Sequence, residues 1–109
     1  MIQGWKEKRK YPRFPVQFPV SFLCYDNLRI GETSDLSLGG MKIRSHYMLY
    51  TGDIYDFTVV MNGRAISPKG RVVYTETHQE FTYGAGVSFV HLSEDHQKRL
   101  NGVLSGQNP

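Results

Sequence analysis

Residues 14–24 read FPVQFPVSFLC. Phe14, Val16, Phe18, Val20, Phe22 and Cys24 alternate with Pro15, Gln17, Pro19, Ser21 and Leu23, a period of two over eleven residues. This is the pattern of a strand with one buried face and one outward face. Both prolines fall on the outward parity, which suits an edge or bulged strand, because proline has no N–H to give to a ladder. Cys24 falls on the inward parity and reads as an inert buried thiol.

Further strand signals follow. Asp26-Asn27 reads as a turn, and Arg29 to Leu36 as a second strand. Gly39-Gly40 breaks it, and Met41 to Ser45 continues as a third. After a connection over 46–53 comes a fourth strand, Ile54 to Met61. Asn62-Gly63 is the preferred pair of a type I′ hairpin. Arg64 to Glu76 reads as a long returning strand bent near Pro68-Lys69-Gly70, and Thr77 to Glu80 as a polar turn. Thr82 to Val90 is the last strand, with Gly84 and Gly86 marking bends or close backbone approach. The period then changes. Ser93 is a good helix N-cap, with Glu94 and Asp95 in the first turn, where the helix dipole favours acids. Leu92, His96, Leu100, Val103 and Leu104 share one helical face, which makes His96 a packing histidine. Six or so short strands and one terminal helix predict a mainly β fold, a small barrel.

The chain has 109 residues and a net charge of +3, with thirteen basic and ten acidic side chains. Residues 1–13 hold Lys6, Lys8, Arg9, Lys10 and Arg13 against Glu7, a balance of +4; the remainder holds eight basic and nine acidic groups, a balance of −1. The positive excess is thus confined to one arm, which suits an anionic partner. We divide the chain into a flexible basic arm over 1–13, a barrel plus helix over 14–104, and a frayed tail over 105–109. No apolar run approaches the ~20 residues of a membrane helix, and residues 1–13 lack a signal-peptide core. These features predict a cytoplasmic protein without membrane insertion. One cysteine excludes an internal disulfide and a multi-cysteine zinc site. His46, His78, His91 and His96 lack ligand spacing. No G-x-S-x-G or H-E-x-x-H motif is present. The reading is therefore of a non-enzyme with no metal and no cofactor.

Two short motifs carry chemistry. Arg9 and Arg13 form an R-x-x-x-R on chain that Pro12 and Pro15 keep extended. Each guanidinium is a planar fork that fits phosphate oxygens or the O6/N7 edge of guanine, and its face stacks on bases. Asp35, Ser37 and Gly40 form a D-x-S-x-x-G. In a strand Asp35 and Ser37 would share a face. An aspartate accepts from the N1–H and N2–H₂ of guanine, and glycine lets backbone pass close to a flat ligand. The structural alternative for this stretch is an Asx-type turn closed by a Gly-Gly corner.

The two motifs in this order resemble the PilZ domain, a bacterial receptor family for cyclic di-GMP. The stretch RKYPRFPVQFPVSF is similar to the family's first strand, Gly52-Asp53 to a glycine-acid step, and YGAGVSF over 83–89 to its late G-x-x-F strand. The likeness covers about residues 6–104. It implies an all-β fold, a six-stranded antiparallel β-barrel with a short C-terminal α-helix. It implies cyclic di-GMP as ligand, as one molecule or a self-stacked pair. By the same likeness Arg9 and Arg13 take guanine edge, phosphate and stacking roles. Asp35 and Ser37 recognise guanine, and Gly40 allows close approach. Lys8 and Lys10 are secondary contacts, with Lys8 at the position that bears on one or two ligand molecules. His78 and Phe81 are candidates to flank the ligand. The expected mechanism is closure of the basic arm over the barrel face, which signals to an unidentified downstream protein partner. Motility, pilus, exopolysaccharide and virulence outputs all fit such a receptor. Two alternatives stand beside it: a small barrel that binds single-stranded nucleic acid, and a PilZ-like adaptor without ligand. The slight acidity outside the arm and the inward parity of most phenylalanines disfavour nucleic acid.

Overall fold

The structure, a computed structural model, describes residues 11–107. Seven strands run β1 (Pro19–Cys24), β2 (Asn27–Leu36), β3 (Gly40–Ser45), β4 (Ile54–Met61), β5 (Arg64–Ile66), β6 (Lys69–Gln79) and β7 (Thr82–His91), followed by helix α1 (Glu94–Leu104). All pairings are antiparallel, in the order β1-β2-β3-β7-β6-β4, and β4 pairs back onto β1. Six strands therefore close a barrel. Strand β5 pairs with the far end of β4 and continues the line of β6 beyond a break at Ser67-Pro68. That break is the bend expected in the long returning strand.

The alternation of residues 14–24 decides the interior. Phe18, Val20 and Phe22 are buried, while Pro19 and Leu23 face outward. Phe22, Tyr55 and Phe57 meet with ring centroids 5.8–6.3 Å apart, within the range of favourable aromatic pairs. The regular strand nevertheless starts only at Pro19. Phe14 makes an isolated bridge to Leu36. Pro15 and Pro19 cannot donate to a ladder, so a side chain substitutes. The buried Thr33 hydroxyl accepts the Phe18 N–H at 2.9 Å and donates to the Val16 carbonyl at 2.5 Å.

Turn chemistry differs from expectation in two places. The first hairpin turns at Tyr25-Asp26, both at positive φ, one residue earlier than Asp26-Asn27. The β6–β7 turn falls at Glu80-Phe81, so β6 continues through residues read as a polar turn. Asn62 and Gly63 both adopt positive φ, 51° and 84°, as a type I′ turn requires.

Helix α1 starts at Ser93, whose hydroxyl accepts the His96 N–H at 3.2 Å. Leu100 and Leu104 are buried in the barrel core. The helix also satisfies the broken strand: Ser67 N–H donates to His96 Nδ1 at 3.1 Å, and Arg99 Nη1 donates to the Ala65 carbonyl at 2.9 Å. His96 is thus a half-buried hydrogen-bond partner rather than a purely packing residue.

Candidate functional site

The site lies on the outer face of β2, β3, β7 and β6, and two bulges aim it. Between Thr33 and Asp35 the β2–β3 register slips by one residue. Thr33 points inward opposite Ile43, so strict alternation would send Asp35 inward too. The extra residue, Ser34, resets the parity, which is what a bulge does. Asp35 then pairs outward with Lys42, and Leu36 pairs inward with Met41. A second slip between Val72 and Tyr74 acts the same way on β6. Val72 is buried opposite Val87, and Tyr74 emerges outward opposite Gly86. Asp35, Lys42, Gly86 and Tyr74 therefore stand in one row across four strands, about 14 Å from end to end at ~4.8 Å per strand.

Arg13 Nη1 lies 3.7 Å from Asp35 Oδ2. Among the described residues the other carboxylate oxygen, Oδ1, is buried and has no hydrogen-bond partner. An unpaired buried acceptor costs about 1–3 kcal/mol, so this oxygen is poised for a donor.

Strand β2 ends at Leu36, before the rest of the motif. Ser37 is not on the Asp35 strand face; its hydroxyl closes a turn. It accepts the N–H groups of Gly39 and Gly40 at 3.2 and 3.1 Å and donates to the Gly40 carbonyl at 3.2 Å, while Ser37 N–H donates to that carbonyl at 2.8 Å. The turn expected at the Gly-Gly corner is present, but it is closed by the Ser37 hydroxyl rather than by an Asx side chain. Gly40 answers a packing need as well: a Cβ there would lie 2.2 Å from the Val87 carbonyl oxygen.

An open cleft of about 320 Å³ adjoins this motif, lined by Tyr11, Arg13, Ser37, Gly39, Gly40, Met41, Val73, Tyr74, Gly86, Val87 and Ser88. Its walls depend on two glycines. A Cβ on Gly39 would meet the Tyr11 ring at 2.8 Å, and one on Gly86 would meet the Tyr74 ring at 2.2 Å. Each ring is seated on bare backbone.

Beside the cleft, Lys42 Nζ pairs with Glu76 Oε1 at 2.5 Å. The two side chains meet across β7 where Gly84 presents no side chain; a Cβ there would lie 3.0 Å from Glu76 Cγ. The hydrogen bond from Lys42 holds the Glu76 carboxyl below its ordinary range, with help from His78, and the bond to Glu76 raises Lys42 above its own.

Of the expected site residues, the structure brings Arg13 and Asp35 together and sets Ser37 and Gly40 in the adjoining turn. Arg9, Lys8 and Lys10 lie outside the described residues. His78 stands 3.7 Å from Glu76, and Phe81 is exposed at the β6–β7 turn. Neither lines the cleft. Sequence reading missed Tyr11, Lys42 and Tyr74. Gly86 was the available signal, since a glycine inside a strand marks close approach, but the neighbour's identity depends on register. Among the described residues no group of three His, Cys, Asp or Glu side chains could hold a metal. No helix among them is long and apolar enough to cross a membrane. The arrangement can take a flat ligand whose edge donates to Asp35 and whose anionic part meets Arg13.

The PilZ domain family model matches residues 7–106. The chain belongs to the PilZ domain family. No curated protein matches this PilZ chain in sequence. Solved PilZ-type structures share its fold at low identity. The Bacillus subtilis inhibitor of motility MotI superposes with a TM-score of 0.75 at 13% identity, over 84% of this chain and 47% of that one. Escherichia coli YcgR in complex with cyclic di-GMP gives 0.76 at 19%, over 91% and 45%. This chain thus spans a little under half the length of either protein. The isolated PilZ domain of Escherichia coli YcgR with cyclic di-GMP gives 0.74 at 17%, over 90% of both chains.

Proposed function

We propose that this PilZ chain is a receptor for cyclic di-GMP. The observation that carries the reading is the Asp35 carboxylate beside Arg13, its buried Oδ1 unpartnered among the described residues, next to a cleft on the barrel surface. A guanine N1–H/N2–H₂ edge supplies two donors to one carboxylate, and adenine offers no such pair. Arg13 then meets a phosphate or the guanine Hoogsteen edge. The cyclic di-GMP complexes of YcgR, which share this fold, support the same ligand. Gly40 and the Ser37 turn shape the floor, with the serine hydroxyl committed to backbone and acting through it.

The second part of the proposal concerns the arm. Arg9, Lys8 and Lys10 precede Arg13 and carry most of the chain's positive excess. Ligand phosphates neutralise that charge and draw the arm over the barrel face, where Arg9 completes the R-x-x-x-R. The covered face then serves as the surface for a downstream partner, a disorder-to-order device. The protein acts as a cytoplasmic effector, without catalysis or cofactor, and holds one ligand or a stacked pair.

Isothermal titration with cyclic di-GMP tests the reading, with GTP and cyclic di-AMP as controls. Guanine-selective binding of the cyclic dinucleotide is expected, and the fitted stoichiometry separates one ligand from two. No heat at high micromolar ligand from folded protein overturns the receptor reading in favour of the adaptor. Amide exchange over residues 1–13, with and without ligand, tests arm closure: protection is expected only with ligand.

A further inference from the structure

We infer that Tyr11 is a positioning residue of this site: seated on Gly39, it clamps the basic arm to the motif turn midway between Arg9 and Arg13. The inference rests on the cyclic di-GMP reading. Tyr11 and Gly39 occupy open positions of R-x-x-x-R and D-x-S-x-x-G, so neither motif assigns them a role. Three observations carry it. The first is the seat. A Cβ on Gly39 would lie 2.8 Å from Tyr11 Cδ2 and 3.1 Å from Cε2, so the ring needs bare backbone beneath it. Gly39 is itself held from two sides: its N–H donates to Ser37 Oγ at 3.2 Å, and its carbonyl accepts the Phe89 N–H of β7 at 2.9 Å. The second is the place along the chain. Tyr11 stands two residues from each arginine, and Pro12 after it favours extended backbone. The third is what surrounds the ring. Tyr11 lines the ligand cleft with Arg13, and it also lines a separate cavity of about 350 Å³ against α1, with Leu38, Glu94 and Gln97. It keeps 37% of its surface exposed and is not part of the barrel core.

A ring so placed holds the arm rather than the barrel. Closing the arm over a ligand means ordering it, and that ordering opposes affinity. A clamp at residue 11 removes part of the cost before ligand arrives. Arg13, two residues beyond the clamp, already lies 3.7 Å from Asp35. Arg9 is two residues before it, so its reach to the cleft is measured from a fixed point rather than from the start of the barrel. Tyr11 acts through Arg9, as the pivot on which the arm closes. The atoms seated on Gly39 belong to the ring, so phenylalanine should replace tyrosine and alanine should not.

The experiment is calorimetric titration of the full chain with cyclic di-GMP, in wild type, Tyr11→Phe, Tyr11→Ala and Gly39→Ala, with Tyr11→Ala repeated in an Arg9→Ala background. Melts by circular dichroism accompany each sample. Tyr11→Ala should lose about ten-fold in affinity, the scale of re-ordering one long side chain and its backbone, with a melt close to wild type. Tyr11→Phe should keep wild-type affinity. Gly39 has no positive φ, so alanine fits its backbone and only the ring must move; Gly39→Ala should weaken binding, and should add nothing to Tyr11→Ala. In the Arg9→Ala background the Tyr11→Ala loss should shrink to about two-fold or less, because the arginine it serves is gone. An equal loss in both backgrounds makes Tyr11 a direct ligand contact and overturns the positioning role. Unchanged affinity in folded Tyr11→Ala overturns it too, and leaves the receptor reading intact. Equal losses in Tyr11→Phe and Tyr11→Ala also overturn it. If Tyr11→Ala does not fold, Gly39→Ala decides: wild-type affinity there overturns the proposal. Absence of binding by the wild type overturns the receptor reading, and this inference with it.

Discussion

Gly40 and Gly63 sit at two turns of the same barrel for opposite reasons. Gly63 occupies a left-handed conformation at φ 84° with nothing within 4 Å of a would-be Cβ. Its requirement is local and conformational. Gly40 has no positive φ, yet a Cβ there would collide with the Val87 carbonyl. Its requirement is tertiary: β3 and β7 must come together at the motif turn. The hairpin glycine serves a connection, whereas the motif glycine serves a surface. A motif glycine can thus be demanded by the fold before any ligand is considered.

That contrast can be broken by substitution. The largest effect should come from Gly40→Ala, because the obstacle is backbone rather than a side chain that can swing away. A loss of ~2–3 kcal/mol is expected, at the upper part of the usual overpacking range, read as a fall in melting temperature of some ten degrees or more. A melt within two degrees of wild type would show that the β3–β7 approach is slack. Next, Arg13→Ala or Asp35→Ala should cost ~1–3 kcal/mol of ligand binding, by the range for bidentate guanine contacts, with little change in melting temperature. Calorimetry and thermal melts on the same samples separate this from the Gly40 result.

Smaller effects sharpen the picture. Ser37→Ala removes a hydroxyl that closes the motif turn, and a loss of ~1–2 kcal/mol in denaturant unfolding is expected. An affinity loss without any stability loss would instead make Ser37 a direct ligand contact. Gly63→Ala should cost ~1 kcal/mol for the left-handed conformation alone, without any change in ligand affinity. The smallest effect belongs to the Lys42–Glu76 pair, which is partly exposed and therefore weak. Glu76 sits below its ordinary 4.5 and Lys42 above its ordinary 10.5. The pair's contribution should be full between those values. It should fall as pH drops through the lowered Glu76 pKa and as pH rises through the raised Lys42 pKa. The stability difference between wild type and Glu76→Gln, measured against pH, should be flat near neutrality and shrink below 4.5; a difference that persists at low pH would mean another interaction is responsible.

Legibility followed the range of the forces involved. Alternating apolar residues at 14–24 announced the barrel wall because burial parity is local and periodic. Asn62-Gly63 announced its turn because φ preference belongs to the residues themselves. Ser93 with Glu94 and Asp95 announced the helix start for the same reason. The early end of the ladder at Pro19 was harder to see, because the Thr33 hydroxyl that replaces the missing bonds comes from a different strand.

The site divides along the same line. The amino-acid sequence by itself determined the chemical types available, two arginines and a D-x-S-x-x-G, and the strands beside which they lie. Only the tertiary structure decided which of them face the cleft. The bulges at Ser34 and Val73 turn Asp35 and Tyr74 outward, against simple alternation, and a bulge is a relation between two paired strands. The Ser37 hydroxyl faces its own turn, and Gly40 passes Val87 too closely for any side chain. Gly86 reads as a bend or a close approach, and only the register shows that the approaching group is a ring from the strand beside it. Those outcomes depend on register and on close approach between distant segments, and no local pattern encodes either.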